Sequence, residues 1–226
     1  MATYDEIRFE LDNLRAELEK ACHEAENSIL QVAGIGSTDI KVERTLPLVI
    51  DICDLQVGDR ITIPMGENVY TATAVDECDG EIYFLFDQLL DRRPIDSRDD
   101  FAGSFNDSEL FAWLNSEFKE QLPAWVRTRL NHDITLPTVQ QIFGTSDEWA
   151  IKFFDLNTFD YGEQFECMKD VKNRICTFED NIRWYWLSTN KPSSAYFAGV
   201  DSNGNANYYG AAYAGYVRPL LKVRKR

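Results

Sequence analysis

Only two histidines occur in the 226 residues, His23 and His132, so a histidine-rich metal site is excluded at the outset. The five cysteines, at positions 22, 53, 78, 167 and 176, are odd in number and form no CxxC pair. Neither a zinc site nor a disulfide framework is indicated, and reduced, mostly buried thiols are expected. Positive charge is short too. The 23 Lys and Arg stand against 38 Asp and Glu, for a net charge of -15. Phosphate backbones need a basic footprint, so nucleic acid is not an expected partner. The first 30 residues are charged and periodic, with no apolar run fit for a signal peptide or a membrane span. The expectation is a chain made in a cytoplasm, without a secretory signal and without membrane insertion.

Catalytic signatures are missing as well. There is no GxSxG elbow, no P-loop, no GxGxxG and no HExxH. Carboxylates are plentiful, but no pair stands out from the solvated background, so acid–base catalysis has no named residues. The reading is therefore of a protein that is not an enzyme, with no cofactor and no metal.

What is present is ample material for a core. Hydrophobic residues make up 44% of the chain and aromatics 13%, which argues for one or two folded domains and against disorder. The charge is uneven. Residues 181–226 carry seven Lys or Arg and one Asp, about +6, so the first 180 hold the remaining -21. Four of those positive charges sit in the final "LKVRKR", read as a solvated tail.

From Tyr4 the apolar positions run Tyr4, Ile7, Leu11, Leu14, Leu18, Ala21, Ala25 and Val32, in steps that alternate three and four with Ser28 filling the one vacant slot before Val32. A seam this narrow favours a helix that meets copies of itself over one packed on its own domain. Residues 1–33 are read as a coiled-coil oligomerisation helix, and 34–41, containing "GIGSTD", as a hinge. The remainder, 42–226, reads as one domain.

That domain starts with strands: "RITIPM" and "VYTATAVDE" around a turn at Gly66, then "EIYFLFDQLL" after "CDG". A helical middle follows. In "NDSELFAWLNSEFKEQL", Asn106 is the expected N-cap with Glu109 three residues on, and Leu110, Leu114 and Phe118 share a face. "PAWVRTRL", "LPTVQQIFG" and "SDEWAIKFF" predict three more short helices, with Gly144 as a stop between the last two. Residues 155–180 show no clear period and read as loop. "IRWYWLS", "AYFAGVD" and "YVRPLLKV" return to strand, with a turn at Asn203 and Gly204. Strands, helices, then strands predict an α+β fold with a mainly antiparallel sheet. Trp113, Trp125 and Trp149 fall on helical patterns and are expected in the core. Trp184 and Trp186 share one strand face, with Tyr185 on the other.

One stretch fits none of these structural needs. Residues 201–216, "DSNGNANYYGAAYAGY", are built almost entirely from Asn, Tyr, Ser, Ala and Gly. Asp201, Asn203, Asn205 and Asn207 alternate like a calcium loop, but Ala206 and Ala212 stand where an EF-hand needs Gly and Glu. A β-turn explains the spacing more simply. Tyrosine gives large, stiff, amphipathic contact area, while Ser, Asn and Gly give adaptable hydrogen bonds. Exposed tyrosines together commonly mark a binding surface.

The segment "RWYWLSTNKPSSAYFAGVDSNGNANYYGAAYAGYVRPLLKV" resembles the C-terminal section of a bacterial and phage domain family with a WWLRS-like strand, a V-x-x-x-G turn and a closing GVRPA strand. The counterparts are Tyr185, Trp186, Leu187 and Ser188; Val200 through Gly204; and Tyr216, Val217, Arg218, Pro219 and Leu220. Ser188 stands where Arg commonly precedes Ser or Asp, and Tyr216 where Gly usually precedes Val-Arg-Pro. "GDRITI", "LFDQLLDRRPID" and "SELFAWLNSEF" resemble the family's first half, so the likeness spans roughly residues 42–224.

The resemblance implies a C-type-lectin-like fold, related in architecture to formylglycine-generating enzymes. Members with Asn-rich ends are variable proteins of diversity-generating retroelements, in which an error-prone reverse transcriptase randomises adenines in template codons, chiefly AAC and AAT. Replacements then include Tyr, Ser, Asp, Gly, Ala, Thr and His. On that basis the variable region is about 188–216. The ligand-binding residues are Asn190, Ser193, Ser194, Tyr196, Ala198, Asp201, Ser202, Asn203, Asn205, Asn207, Tyr208, Tyr209 and Tyr213. They are expected on one face, with Arg218 and Pro219 as scaffold.

The expected protein is a receptor-binding component of a phage or prophage virion, made in the bacterial host. Its partner would be a protein or glycan on a target cell surface. The N-terminal helix would gather the heads into a homo-oligomer, with a trimer the expected number, and multivalency would raise avidity. Two other readings stand beside this one. One is an enzyme of the formylglycine-generating type, for which Cys167 and Cys176 are the only neighbouring cysteines. The other is a structural virion protein whose Asn/Tyr loop is only packing.

Overall fold

The structure is a computed structural model, and it describes residues 52–145, 147–156 and 163–225. The coiled-coil helix and the hinge fall outside the described residues.

After a short turn at Ile52–Asp54, three strands form a meander: β1 (Arg60–Met65), β2 (Asn68–Cys78) and β3 (Glu81–Phe86). Gly66 supplies the positive φ of the first turn. Asp79 and Gly80, with φ of 53° and 78°, make the two-residue loop of the second, which is the backbone that a right-twisted hairpin favours. The short strand β4 (Leu90–Arg93) follows.

The helical middle comes next. Helix α1 (Glu109–Trp113) runs on through a π-helical stretch, Leu114–Phe118, into α2 (Lys119–Gln121). Leu110, Leu114 and Phe118 are buried, as their spacing requires. The cap differs from expectation. Ser108 accepts from the Phe111 amide, while Asn106 lies within a 3₁₀ turn that Ser104 caps. Glu109 instead binds the amide and hydroxyl of Ser97, across the preceding loop. Then come α3 (Ala124–Arg127), α4 (Val139–Phe143) and α5 (Glu148–Phe153). Thr138 and Gln141 form a reciprocal capping box on α4, and Gly144, at φ 67°, ends it.

The closing section holds β5 (Cys176–Phe178), β6 (Asn181–Arg183), β7 (Tyr185–Asn190), β8 (Tyr196–Val200), β9 (Ala206–Gly210), β10 (Gly215–Val217) and β11 (Leu220–Arg224). The β5–β6 hairpin lies partly in a stretch that read as loop. Its turn residues, Glu179 and Asp180, both take positive φ without a glycine to announce it.

Two larger sheets result. One has the order β1-β2-β3-β11 and is antiparallel throughout. The other runs β4-β10-β7-β8-β9, antiparallel except where β10 meets β7 in parallel. The described domain is thus α+β with mainly antiparallel sheets. Alternation along the strands divides the interior into two clusters. Phe84, Phe86, Trp186, Phe197 and Leu221 join the first, with α1; Leu85, Tyr185, Leu187, Ala198 and Leu220 join the second, with α4 and α5. Tyr185 and Trp186 are each fully buried on opposite faces of β7, so both faces of that strand are core.

Arg218 links the sheets. It is buried between β10 and β11, and its guanidinium donates to the carbonyls of Phe86 (2.9 Å) and Asn173 (3.2 Å) and to the Tyr185 hydroxyl (3.0 Å). These contacts fit the scaffold role expected of it.

Candidate functional site

Strand β9 is an edge of the five-stranded sheet, paired only with β8. Its side chains alternate, so Tyr208 and Tyr209 go to opposite faces. Tyr209 takes the face of Phe197. Its ring stacks on Trp184 at 3.9 Å and meets Trp186 edge-on at 5.9 Å. Burial, with the Asp201 carboxylate adding to it, raises the pKa of its phenol. Tyr208 takes the face that helix α5 covers, and there the rings remain in reach of solvent.

Helix α5 is set by its two ends. Asp147 accepts from the Ala150 amide at the start. At the finish, Asp155 turns the chain with φ 53°, and the Leu156 amide reaches back to the Ile151 carbonyl, as in a Schellman close. Ala150 and Phe154 face inward. Trp149 and Phe153, four residues apart on the other flank, stack at 5.2 Å. Tyr208 stacks on Phe153 at 4.5 Å and meets Tyr196 edge-to-face at 5.0 Å. Tyr196 pairs with Gly210 across the strands, so its contact with Tyr208 is the diagonal one. The ring of Tyr213 lies 3.7 Å from where a Cβ on Gly210 would stand, which puts it beside the same patch.

Trp149 is 46% exposed, Tyr196 44%, Tyr208 39% and Tyr213 68%. Among the described residues, every aromatic that counts as an exposed large hydrophobic belongs to this patch; Val57, Val69, Val171 and Ile182 complete that set. The Lys191 ammonium sits 4.1 Å from the Phe153 ring centre. Trp149, Lys152, Phe153, Asp155, Lys191 and Pro192 line an open cleft of about 580 Å³.

The residues expected to bind ligand divide into three groups. Asn190, Ser193, Ser194, Tyr196, Tyr208 and Tyr213 gather around the patch or at its end of the sheet. The Asn190 amide donates to the Gly103 carbonyl, and the Ser194 hydroxyl accepts from the Tyr196 amide. Asp201, Ser202, Asn203 and Asn205 occupy the β8–β9 turn at the other end of the hairpin, roughly 16 Å away for a five-residue strand. The Asp201 carboxylate accepts from the amides of Asn203 and Asn205, at 2.8 and 2.9 Å, so it is engaged in building the turn. Asn207 lies with Tyr209 on the opposite face, with its amide 3.4 Å from the Tyr209 hydroxyl.

Three expectations are corrected here. Ala198 is 1% exposed and packs in the second core cluster, because position 198 of β8 is directed beneath α4 and α5. It is not a surface contact residue. Nor does the set lie on one face, since a two-residue period sends neighbours on β9 to opposite sides. Trp149, expected in the core, is among the exposed rings instead. Trp113 and Trp125 pack half-buried against the first cluster. Sequence reasoning also passed over Phe153, Lys152 and Lys191. The i, i+4 spacing of Trp149 and Phe153, opposite Ala150 and Phe154, was the available signal for an aromatic flank.

The thiols differ from expectation in exposure. Cys53 and Cys78 are exposed, Cys167 is half-buried and Cys176 is buried. Burial raises the pKa of both Cys167 and Cys176 against the opposing pull of Arg218. That shift favours the thiol over the nucleophilic thiolate. Among the described residues, no helix is long and apolar enough to cross a membrane.

Fold and site together define an α+β domain, built on two larger sheets, with a solvent-facing aromatic surface at one sheet edge. The chain belongs to the family described as "Domain of unknown function (DUF6273)", which matches residues 79–225. That span takes in α5, β7, β8, β9 and Arg218. No curated protein and no solved structure matches the chain.

Proposed function

We propose that the chain is a non-enzymatic ligand-binding protein of a phage or prophage, with a C-type-lectin-like head and a variable region written by a diversity-generating retroelement. The observation that carries this reading is the exposed patch of Trp149, Tyr196, Tyr208 and Tyr213, at the edge of a sheet whose other large rings, among them Tyr185, Trp186 and Phe197, are buried. Stranding several large rings in water is unfavourable for a soluble domain unless a partner covers them. Three of the four, Tyr196, Tyr208 and Tyr213, lie in the expected variable region, 188–216. Exchanging Tyr for Asn, Ser or Asp at such positions alters the contact surface and leaves the core untouched.

The geometry narrows the proposal. Tyr196, Tyr208, Tyr213, Ser193 and Ser194 form the contact surface around one end of the hairpin. Asp201 and Gly204 belong to the turn, and Ala198 to the core. The stem, read from the heptad seam of residues 1–33, would bring several heads together so that weak contacts add up.

The test is genomic. A near-copy of the 3′ end, beside a reverse-transcriptase gene and differing from it only at adenines, is expected. The differing codons should include those of Tyr196, Tyr208 and Tyr213 and spare those of Phe197, Val200 and Arg218. Absence of such a copy, or differences concentrated on core codons, refutes the diversification.

A further inference from the structure

The cleft beside the tyrosines has a chemistry of its own. Most of its lining, Trp149, Lys152, Phe153 and Asp155, comes from α5 and the turn that ends it, outside the Asn/Tyr/Ser-rich stretch. That part of the lining is therefore a constant element, next to residues read as interchangeable, while Lys191 and Pro192 fall inside the expected variable region, 188–216. Its volume, about 580 Å³, lies within the range of small-molecule sites.

Two features restrict what can sit there. The rings of Trp149, Phe153 and Tyr208 lie within 31° of parallel, and Trp149 and Tyr208 remain exposed. They offer flat apolar faces to a flat apolar partner. Lys152 and Lys191 supply two ammonium groups against the single carboxylate of Asp155. Among the described residues, neither lysine makes an ion pair. In a chain of net charge -15, a lining with more cations than anions is a local reversal of sign.

The geometry points to an acidic saccharide as the occupant, a pyranose whose C–H face lies on the aromatic rings and whose carboxylate reaches Lys152 and Lys191. A neutral sugar would leave both ammonium groups unused. A run of acidic residues would satisfy them, but its carboxylate side chains offer no flat apolar face to Trp149. This assignment rests on the ligand-binding reading above and gives its class of target. Lys152 and the rings of the constant helix, together with Lys191 just after β7, recognise the acidic sugar, and Tyr196 and Tyr208 at the rim adapt to what is attached to it. Recognition of this kind weakens as salt screens the lysines.

The experiment is titration calorimetry of the full-length chain with an oligogalacturonate, a neutral oligogalactose of equal length, and polyglutamate. The oligogalacturonate is expected to bind at least tenfold more tightly than the other two, a margin of about 1.4 kcal/mol. The paired change Lys152→Met and Lys191→Met should remove the preference over the neutral sugar. Trp149→Ala should weaken both sugars alike, with circular dichroism unchanged in each variant. Equal affinity for the two sugars, stronger binding of polyglutamate, or a preference that survives loss of both lysines overturns the assignment. The genomic test above does not depend on these titrations. An adenine-differing copy found alongside a failed titration sinks only the saccharide, and a successful titration without such a copy sinks only the diversification.

Discussion

Replacing Arg218 by Met asks how much the frame behind the binding surface depends on one side chain. Met keeps an unbranched apolar stem but ends about two atoms short of the guanidinium tip, so the change removes the donors and leaves a small gap where they stood. Three acceptors lose a partner: the Phe86 carbonyl in β3, the Asn173 carbonyl in the loop before β5, and the Tyr185 hydroxyl in β7. Stranding a buried acceptor costs about 1–3 kcal/mol. Tyr185 still donates to the Arg174 carbonyl at 2.8 Å, so its share falls at the low end. Against the loss, Met avoids the desolvation of a guanidinium, which is worth several kcal/mol in a buried site. The balance is a destabilisation of about 3 kcal/mol. Arg218→Lys keeps the charge but replaces the planar fork with a compact ammonium, which cannot span all three acceptors. Its expected cost is smaller, about 1–2 kcal/mol. Urea unfolding of the full-length chain, followed by circular dichroism and tryptophan fluorescence, reads both values. A Met variant within about 0.5 kcal/mol of wild type would show that Arg218 does not tie the sheets. A Lys variant less stable than Met would show that the buried charge, and not the missing bonds, sets the balance.

Two further outcomes follow from burial and charge. Ala198→Tyr forces a phenol into a closed cluster and should cost about 3 kcal/mol or prevent folding, whereas Tyr213→Asn, at a 68% exposed position, should stay within about 0.5 kcal/mol; thermal melts of the two decide. Asp96 is held below the usual carboxylate range, chiefly by the side-chain hydrogen bond from Arg98, with burial opposing. A depressed folded-state pKa stabilises the protein above the unfolded value and loses that contribution as the pH falls through the folded one. The stability gap between wild type and Asp96→Asn should therefore be widest above about pH 4 and should close on further acidification, as seen in urea melts across pH.

Much of the architecture was legible because it rests on local rules. Gly66, Asp79 with Gly80, Gly144 and Gly204 mark turns that need positive φ, and all four stand where the sequence places a turn or a stop. The spacing of Leu110, Leu114 and Phe118 gives the buried face of α1. Failures came where a rule had no local signature. Glu179 and Asp180 make a hairpin turn in a conformation that Glu rarely adopts, so β5 and the turn stayed hidden, while β6 merged into the segment "IRWYWLS" that reads as one strand. Ser108 took the cap from Asn106 because the preceding residues close a 3₁₀ turn first.

The sequence by itself determined the α+β order, the glycine-marked turns, and the segment whose composition suits a contact surface. Period and turn chemistry are properties of neighbouring residues, and a linear reading captures them. Only the tertiary structure decided which of those residues meet. It sent Tyr208 and Tyr209 to opposite faces, sank Ala198 under α4 and α5, and brought Trp149 and Phe153 from a distant helix against the edge strand. Which side of a strand faces a helix depends on what else packs there, and that is settled by the whole core at once.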